Sequence, residues 1–296
     1  MPELPDLTVY VDAINERLEG SELERMLIVS PFLLRTVEPK IEELEGRKFV
    51  QCSRLAKQLV FELEGEYFFV VHLMISGRLQ WADEFKPPPK RNGLAAFSFS
   101  RGTITFTEAS KKKRASLRLV HGREALEALN PGGLEVLGVG VDTFAERLST
   151  VNHTLKRALT DQRVFAGIGN AYSDEILLRA KLSPFKQAGK LKEAEIAALY
   201  QACQDVLTDW VELLRTKAKG KFPTKVTAFH DEMSAHGKYK QPCLVCGAPI
   251  QRIVYAENEA NYCAGCQTEG RLLADRSLSK LLKDNWPKRL EDLENL

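Results

Sequence analysis

The chain has 296 residues, of which 44% are hydrophobic and 28% charged, and its 42 Lys and Arg nearly balance 40 Asp and Glu. This composition is typical of a globular protein of two or three domains. No apolar run reaches the roughly 20 residues of a membrane span, and six cysteines are too few for a disulfide scaffold. The acidic start is broken by prolines, unlike a signal peptide, so we expect a cytoplasmic protein with reduced thiols.

The first 130 residues are predicted to form a helix followed by strands. A helix over residues 6–18 is indicated by four apolar residues at helical spacing: Leu7, Val11, Ile14 and Leu18. Four predicted strands, which form two hairpins, cover residues 58–63, 67–73, 95–100 and 103–107. We interpret this part of the chain as a β-rich module.

The sequence Asn-Pro-Gly-Gly at residues 130–133 indicates a linker, after which the chain becomes helical. Helices are predicted over residues 142–148, 152–159, 170–180 and 192–215. A charged tail ends the chain, and we expect it to pack on the body through Leu278, Leu281, Leu282 and Trp286, with a partner-docking helix as the alternative. The expected domains are therefore residues 1–130, 131–222, 223–270 and the tail 271–296.

Four cysteines near the end of the chain form two C-x2-C pairs separated by sixteen residues: Cys243, Cys246, Cys263 and Cys266. Each pair lets two thiolates converge on one ion, and four sulfurs complete the tetrahedron that zinc prefers. Four cysteine ligands leave no open position for catalysis, so we predict one structural Zn²⁺. Short extended runs between the pairs predict a β-hairpin that brings them together.

Pro2 follows the initiator methionine, and its small side chain permits removal of Met1. The mature chain would then begin with a secondary amine, which titrates near pH ~8 and can attack a sugar aldehyde carbon. Glu3 supplies a carboxyl group for proton transfer. Many proteins begin with Met-Pro, so these two residues alone do not establish a nucleophile.

A glycine-rich turn, Gly167-Ile168-Gly169-Asn170, lies between two predicted helices. Asn170 is a suitable N-cap, and backbone amides at a helix N-terminus can bind phosphate. A tight helix connection without a ligand is the alternative. Basic residues are also clustered in a run from Lys111 to Arg114 and in a stretch that includes Lys238, where a local positive field could bind phosphates. A solvated loop is the alternative for either cluster.

Together these motifs resemble the formamidopyrimidine-DNA glycosylase and endonuclease VIII family of base-excision repair enzymes. Pro2-Glu3-Leu4-Pro5 resembles its amino-terminal catalytic motif, and residues 167–172 resemble its helix–two-turn–helix signature. The four cysteines lie where the family has its zinc finger, and Lys57 and His72 fall on motif positions. The similarity extends from residue 2 to about residue 267. Three separated motifs in the family's order indicate this family more specifically than any one motif does.

The resemblance implies an α+β multidomain fold: an N-terminal β-sandwich with flanking helices, a helical helix–two-turn–helix domain and a C-terminal four-cysteine zinc-finger β-hairpin. It also implies a monomer without a membrane partner, which binds double-stranded DNA containing damaged bases or abasic sites in the cleft between its domains. The implied activity is that of a bifunctional DNA glycosylase and abasic-site lyase that removes oxidised bases.

The resemblance further implies roles for individual residues. Pro2 would attack C1′ of the lesion nucleotide, Glu3 would handle the proton of sugar-ring opening, and Lys57 would hold the reacting nucleotide. β,δ-Elimination would then cut the strand on both sides of the lost nucleoside. The remaining expected DNA contacts are His72, Ile75, Lys156, Gly169, Asn170, Lys111, Lys112, Lys113, Arg114 and Lys238.

The sequence departs from the family pattern at several places. The family's zinc-hairpin tip carries an arginine that binds phosphate, whereas the matching position here is Asn258, flanked by two glutamates, so this contact is expected to be lost or rerouted. The wedge that fills the space of the flipped base would be Ile75, with Met74 beside it in place of a small residue. The loop at 108–114 lacks the family's aromatic filler, and the segment 220–238 is too short to assume 8-oxoguanine recognition.

Two other hypotheses remain at this point. A damaged-DNA or abasic-site binding protein could retain the scaffold with lost or reduced glycosylase activity, and the altered hairpin tip favours that possibility. An RNA-associated zinc-ribbon protein is the third hypothesis, because a related helix–two-turn–helix occurs in a ribosomal protein. It would leave the Pro2-Glu3 start unexplained.

Overall fold

The structure, a computed structural model, describes residues 1–224, 226–255, 258–274 and 287–295. The chain divides into two compact units. The first unit contains Met1–Pro131 and Trp210–Ala228, and the second contains Gly132–Asp209 and Phe229–Leu296. The domain boundary expected after residue 222 therefore falls inside a segment that belongs to the first unit. Among the described residues, no helix combines the length and apolarity needed to cross a membrane.

The first unit begins with helix α1, Leu4–Leu18. Pro5 lies in its first turn, where a missing backbone N–H is tolerated, and the Asp6 carboxylate accepts the backbone N–H of Glu3 at 2.9 Å. Three of the four residues that predicted the helix, Leu7, Ile14 and Leu18, are fully buried. The predicted amphipathic helix is therefore confirmed, with a start two residues earlier than expected.

Eight strands follow α1 and form two antiparallel sheets with strand orders β1-β6-β7-β5 and β2-β3-β4-β8. Their bounds are β1 Leu23–Ile28, β2 Phe49–Leu55, β3 Gln58–Leu63, β4 Tyr67–His72, β5 Gly77–Ala82, β6 Gly93–Phe99, β7 Gly102–Glu108 and β8 Ser116–His121. A short helix, α2, covers Arg123–Glu127. All four predicted strands are confirmed to within two residues at each end.

The core of this unit lies between the two sheets. Phe61 and Phe69, on adjacent strands of one sheet, stack with ring centroids 4.3 Å apart, and Phe69 meets Phe97 of the other sheet at 4.9 Å. All three rings are fully buried, and burial of each phenylalanine stabilises the fold by about 1.5–3 kcal/mol. Aromatic contact across the sheets makes this unit the expected β-sandwich.

The segment Trp210–Ala228 packs on α1 within the same unit. Phe222 lies 5.6 Å from the ring of Tyr10, and Arg215 donates to the Asp12 carboxylate at 2.8 Å. These contacts explain why the unit contains residues far beyond the predicted N-terminal module.

The second unit contains helices α3 Val141–Ser149, α4 Leu155–Thr160, α5 Asn170–Arg179 and the start of α6, Glu193–Ala218. The helix expected over residues 152–159 begins only at Leu155, because Thr154 has the extended backbone of an N-cap. Strands β9 Ile250–Tyr255 and β10 Asn258–Cys263 pair antiparallel and are followed by helix α7, Ala264–Thr268. The hairpin predicted between the cysteine pairs is thus confirmed.

The described part of the tail packs on this hairpin. The backbone N–H of Leu272 donates to Lys288 O at 2.8 Å, and that of Leu273 donates to the Tyr262 hydroxyl at 2.8 Å. Leu272 and Leu273 join a buried cluster with Ile253 and Tyr262. Leu272 and Leu273 at the start of the tail thus pack on the hairpin. The tail residues singled out from the sequence, Leu278, Leu281, Leu282 and Trp286, lie outside the described residues.

Met74, in the loop between β4 and β5, has a φ of +52°, in the left-handed region. A side chain in that region costs roughly 1–2 kcal/mol, part of which glycine loses again through its freer unfolded chain. We therefore expect Met74→Gly to raise the free energy of unfolding in urea by about 0.5–1 kcal/mol. Met74→Ala keeps the Cβ atom and is the matched control; an equal gain in both variants would contradict backbone strain as the cause.

Candidate active site and metal centre

The amino terminus of the first unit lies in a buried and charged environment. Pro2 is buried, and Glu3 is only 2% exposed. Burial lowers the pKa of the α-amine of Met1 below its usual value of 8.0; the carboxylates of Glu3 and Asp6 act in the opposite direction, and the cations Arg78 and Lys57 lower it further. The structure therefore brings Glu3 and Lys57, both expected from the sequence, to the chain terminus.

One further residue expected from the sequence, His72, lies near Lys57 at this centre. Lys57 is 7% exposed and lies in the two-residue turn between β2 and β3, and His72 ends β4. Burial and the nearby cations Lys57 and Arg118 lower the pKa of His72 to about 4, so its imidazole is neutral at physiological pH. Its Nε2 atom is buried and has no hydrogen-bond partner in the described part of the chain. An unsatisfied buried ring nitrogen is suited to a polar ligand group.

The proposed wedge and the basic run are joined to each other. Ile75 is 56% exposed at the tip of the β4–β5 loop. The next residue, Ser76, accepts the Ala109 N–H at 3.4 Å on its carbonyl and the Ser110 N–H at 3.2 Å on its hydroxyl. The two loops are thereby connected, although neither sequence motif indicated this connection.

Glu108 anchors the other end of the basic run. Its carboxylate is 1% exposed and accepts the backbone N–H groups of Arg114 at 3.1 Å and Ala115 at 3.3 Å. Four basic side chains are exposed on the loop between these anchors: Lys111, Lys112, Lys113 and Arg114. The loop therefore presents a cluster of positive charge held on both sides by hydrogen bonds.

In the second unit, α4 and α5 are joined by the glycine-rich turn. The side-chain amide of Gln162 spans this turn, accepting the Gly167 N–H at 2.9 Å and donating to Ile168 O at 2.7 Å. Gly167 has a φ of +80°, which favours glycine. The N-cap of α5 is Gly169, and Asn170 is the first helical residue. The predicted N-cap role of Asn170 is therefore wrong by one position, because the turn ends one residue earlier.

Lys156 lies under this turn and not on the surface. It is 2% exposed, and its ammonium donates to Asp174 Oδ1 at 2.6 Å and to Asn170 O at 2.5 Å. A buried cation needs such partners to offset its lost hydration. The direct DNA contact expected of Lys156 is thus corrected to a supporting position beneath Asn170.

Two consecutive carboxylates of α5, which the sequence did not single out, connect the turn to the cysteine module. Asp174 meets His236 Nδ1 at 2.8 Å and accepts from Asn261 Nδ2 at 3.3 Å. Glu175 accepts the backbone N–H groups of Ser234, Ala235 and His236 at 2.8–2.9 Å. Burial raises the pKa of Glu175, and these three N–H groups oppose the shift. The sequence feature that could have indicated this role is a pair of acidic residues in a largely apolar helix.

The four cysteine sulfurs lie within 4.8 Å of one another. The Cys243 and Cys266 sulfurs are 3.9 Å apart, and those of Cys246 and Cys263 are 3.4 Å apart. A tetrahedral zinc ion with sulfur ligands at about 2.3 Å has its sulfurs about 3.8 Å apart, so the donor set fits Zn²⁺. Four thiolates give a closed structural site that holds β9 and β10 together.

The close packing around the sulfur atoms and a backbone N–H that points to one of them agree with a zinc site. A Cβ atom at Gly265 would lie 3.0 Å from the Cys246 sulfur, closer than a side chain normally approaches. The backbone N–H of Cys266 points to the Cys263 sulfur at 3.4 Å, an arrangement that stabilises a thiolate. The predicted metal site is confirmed as a cluster of these four residues.

The outer surface of the metal module carries cations beside an aromatic ring. Arg252 lies over the ring of Tyr239 at 4.6 Å, and Lys240 lies 5.5 Å from the same ring. Lys238 is partly exposed and donates to Asp231 O at 2.7 Å. At the hairpin tip, Asn258 pairs with Tyr255 as the first residue of β10.

The architecture is that of zinc-finger DNA glycosylases. It combines a β-sandwich that begins with a buried amino terminus, a helix–two-turn–helix pair and a four-cysteine finger. Three family descriptions match the chain in this order: the formamidopyrimidine-DNA glycosylase N-terminal domain at residues 1–116, the formamidopyrimidine-DNA glycosylase H2TH domain at 136–220, and the zinc finger found in FPG and IleRS at 240–268.

Whole-chain relatives agree with these matches. Formamidopyrimidine-DNA glycosylases of Roseiflexus sp. and Herpetosiphon aurantiacus are 32% and 31% identical, over 90% of this chain and 100% of theirs. A MutM (FPG) structure from Thermus thermophilus is 31% identical, with a TM-score of 0.74 over 90% of this chain and 98% of that chain. MutM in complex with DNA containing carbocyclic 8-oxo-G is 26% identical, with a TM-score of 0.78 over 90% and 100%. The chain belongs to the formamidopyrimidine-DNA glycosylase family.

Proposed function

We propose that this protein is a DNA glycosylase of base-excision repair that removes oxidised bases from duplex DNA and then nicks the strand as an abasic-site lyase. The observation that carries the proposal is the amino terminus, where Pro2 and Glu3 are buried and the field of Lys57 reaches the α-amine. Lowering the pKa of a terminal amine increases the fraction that is neutral and nucleophilic at a given pH. Removal of Met1 would transfer this property to the secondary amine of Pro2.

The proposed reaction begins with attack by that amine. The nitrogen lone pair of Pro2 forms a bond to C1′ while the C1′–N bond to the damaged base breaks, and the departing base takes that electron pair and the proton that the amine loses. The Glu3 carboxyl group gives a proton to O4′ as the sugar ring opens, which leaves an iminium between Pro2 and C1′. β-Elimination removes a proton from C2′ and expels the 3′ phosphate, and δ-elimination removes a proton from C4′ and expels the 5′ phosphate. Hydrolysis of the remaining imine then releases the protein.

Other residues of the first unit are suited to hold the lesion strand. The lesion must leave the stack to reach a buried amine, and an exposed apolar side chain can fill the space it leaves. Ile75 has this character, and the linked basic loop Lys111–Arg114 offers four cations to the backbone phosphates. Lys57 and the Nε2 atom of His72 would contact the reacting nucleotide.

In the second unit, the beginning of α5 is suited to bind a backbone phosphate. Gly169 and Asn170 open a helix of ten residues, whose N-terminal amides attract anions. Lys156, whose charge is paired with Asp174, orients the carbonyl of Asn170 from below. We propose that Lys238 and the Arg252–Tyr239 pair extend this surface over the zinc module, since Asn258 lacks the charge of an arginine. The zinc ion supplies structural support and takes no part in the reaction.

The test is a panel of duplexes that carry 8-oxoguanine, a formamidopyrimidine, an oxidised pyrimidine or an abasic site. Structures similar to this chain contain MutM with 8-oxo-G DNA and a Lactococcus lactis formamidopyrimidine-DNA glycosylase with abasic-site DNA. Strand cleavage and borohydride trapping of a covalent protein–DNA complex are expected with at least one lesion. A protein that retards damaged duplexes but neither nicks nor traps them would instead be a damaged-DNA binding protein.

A further inference from the structure

One face of the zinc hairpin carries three polar side chains that contact one another. Asn261 of β10 lies opposite Arg252 of β9, and side chains at directly opposite positions lie on the same face of a sheet. Glu259, two residues before Asn261, belongs to this face too. Its carboxylate accepts from Asn261 Nδ2 at 3.0 Å and lies 3.7 Å from the Arg252 guanidinium. A row of polar contacts therefore crosses the hairpin from β10 to β9.

The inner end of this row is anchored on α5. Asn261 is 1% exposed, and its Nδ2 atom also donates to Asp174 Oδ2 at 3.3 Å. The other carboxylate oxygen of Asp174 accepts from Lys156, whose ammonium also holds the carbonyl of Asn170. Asp174 follows Asn170 by about one helical turn, or roughly 6 Å along the helix axis. The first turn of α5 and the face of the hairpin are therefore fixed to the same buried carboxylate.

The outer end of the row is an exposed guanidinium that remains available to a ligand. The Arg252 side chain is 42% exposed and lies over the Tyr239 ring at 4.6 Å, which restricts its direction. Its 3.7 Å separation from Glu259 is that of an ion pair and too long for a hydrogen bond, and the guanidinium makes no hydrogen bond to any residue that the structure describes. A guanidinium presents five N–H donors in a planar fork that matches a phosphate. Arg252 is thus oriented and still able to bind an anion.

We propose that Glu259 is a positioning residue for DNA binding, whose carboxylate holds the Arg252 guanidinium where it binds a backbone phosphate. The inference rests on the proposed function, because it requires this unit to bind duplex DNA. The sequence led us to expect that the glutamates beside Asn258 repel phosphate. The contacts give Glu259 the opposite effect, because its carboxylate is directed to Asn261 and Arg252 and its loss would release the cation.

The sign of one substitution separates this role from simple repulsion. Glu259→Gln keeps an oxygen that can accept from Asn261, but it removes the charge that attracts Arg252. If the carboxylate only repelled DNA, its loss would strengthen binding. If it positions the guanidinium, its loss weakens binding by roughly threefold, as expected for one exposed ion pair, and does so only while Arg252 is present.

The experiment is fluorescence anisotropy of the full chain on a duplex with one uncleavable tetrahydrofuran abasic-site analogue, from about 50 to 300 mM KCl. All proteins are loaded with one zinc ion per chain before the titration. Arg252→Gln is expected to reduce the slope of log affinity against log salt concentration by about one, because one phosphate contact is lost. Arg252→Lys keeps the charge and is expected to keep the slope. Arg271→Gln and Glu269→Gln remove exposed charges just after α7 and are the matched controls.

Each outcome decides the inference. Weaker binding by Glu259→Gln that disappears in the Arg252→Gln background, with a lower salt slope in Arg252→Gln but not in Arg271→Gln, supports it. Unchanged or tighter binding by Glu259→Gln overturns it, as does equal weakening in both backgrounds or a wild-type slope in Arg252→Gln; each of these leaves the proposed function intact. A wild-type protein that neither binds this duplex nor forms a trapped complex on abasic-site DNA would contradict the proposed function itself, and is recognised before any variant is compared.

Discussion

Replacement of Pro2 by glycine is expected to lower the rate of borohydride trapping on abasic-site DNA by about 10²-fold or more. Glycine also permits removal of Met1, so the variant keeps a terminal amine but loses the secondary amine and the ring that restricts its direction of attack. Small errors in the position of a reacting atom cost about two orders of magnitude in rate. The measurement is a single-turnover time course of the covalent complex on denaturing gels.

Pro5→Ala is the matched control for this variant. Pro5 is a buried proline of the first turn of α1, close to the terminus but not part of it, so its loss should leave trapping within a few-fold of the wild-type rate. Equal trapping by Pro2→Gly and the wild type would show that another amine forms the imine. Equal loss in both variants would point instead to general damage at the start of α1.

Replacement of Cys263 by alanine is expected to release the zinc ion and disrupt the cysteine module. Binding of a structural zinc is worth about 10–16 kcal/mol to a folded finger, and one missing thiolate forfeits a large part of it. Cys263 is fully buried and lies in one small cluster with Ile250 and Leu178, so the hairpin loses its packing on α5 with its metal. We expect less than one zinc ion per protein by atomic absorption and at least ~10-fold weaker binding to abasic-site DNA.

Cys203→Ala provides the comparison. Cys203 is also fully buried, but it lies on α6 and belongs to no metal cluster found among the described residues. Its loss should cost about 1 kcal/mol of packing and leave zinc content and DNA binding unchanged. Full zinc content in Cys263→Ala, or zinc loss in Cys203→Ala, would contradict the assignment of the four ligands.

The parts of the fold that depend on local pattern could be predicted from the sequence. The strand Gln58–Leu63 was predicted with its bounds, because a short apolar run and its flanking turn residues act over a few positions. The four cysteines could be assigned because metal coordination restricts their spacing more tightly than other functions do. Pro2 and Glu3 could be found only through their combination with other motifs, since two residues at a chain start carry little information.

Positions that depend on distant partners could not be predicted. Lys156 was expected to contact DNA, but its place is decided by Asp174, which in turn binds His236 and Asn261 at separations of 62 and 87 residues. Arg78 was not singled out from the sequence, and only the fold brings its charge to act on the terminal amine.

By itself, therefore, the sequence determined the order of modules, the metal ligands and the family resemblance, because each depends on the residues of short continuous segments. Only the tertiary structure decided which charges are buried, which loops are joined and which cations act on the terminal amine. The physical reason is that burial and electrostatic interaction depend on distance in space, to which separation along the chain is a poor guide.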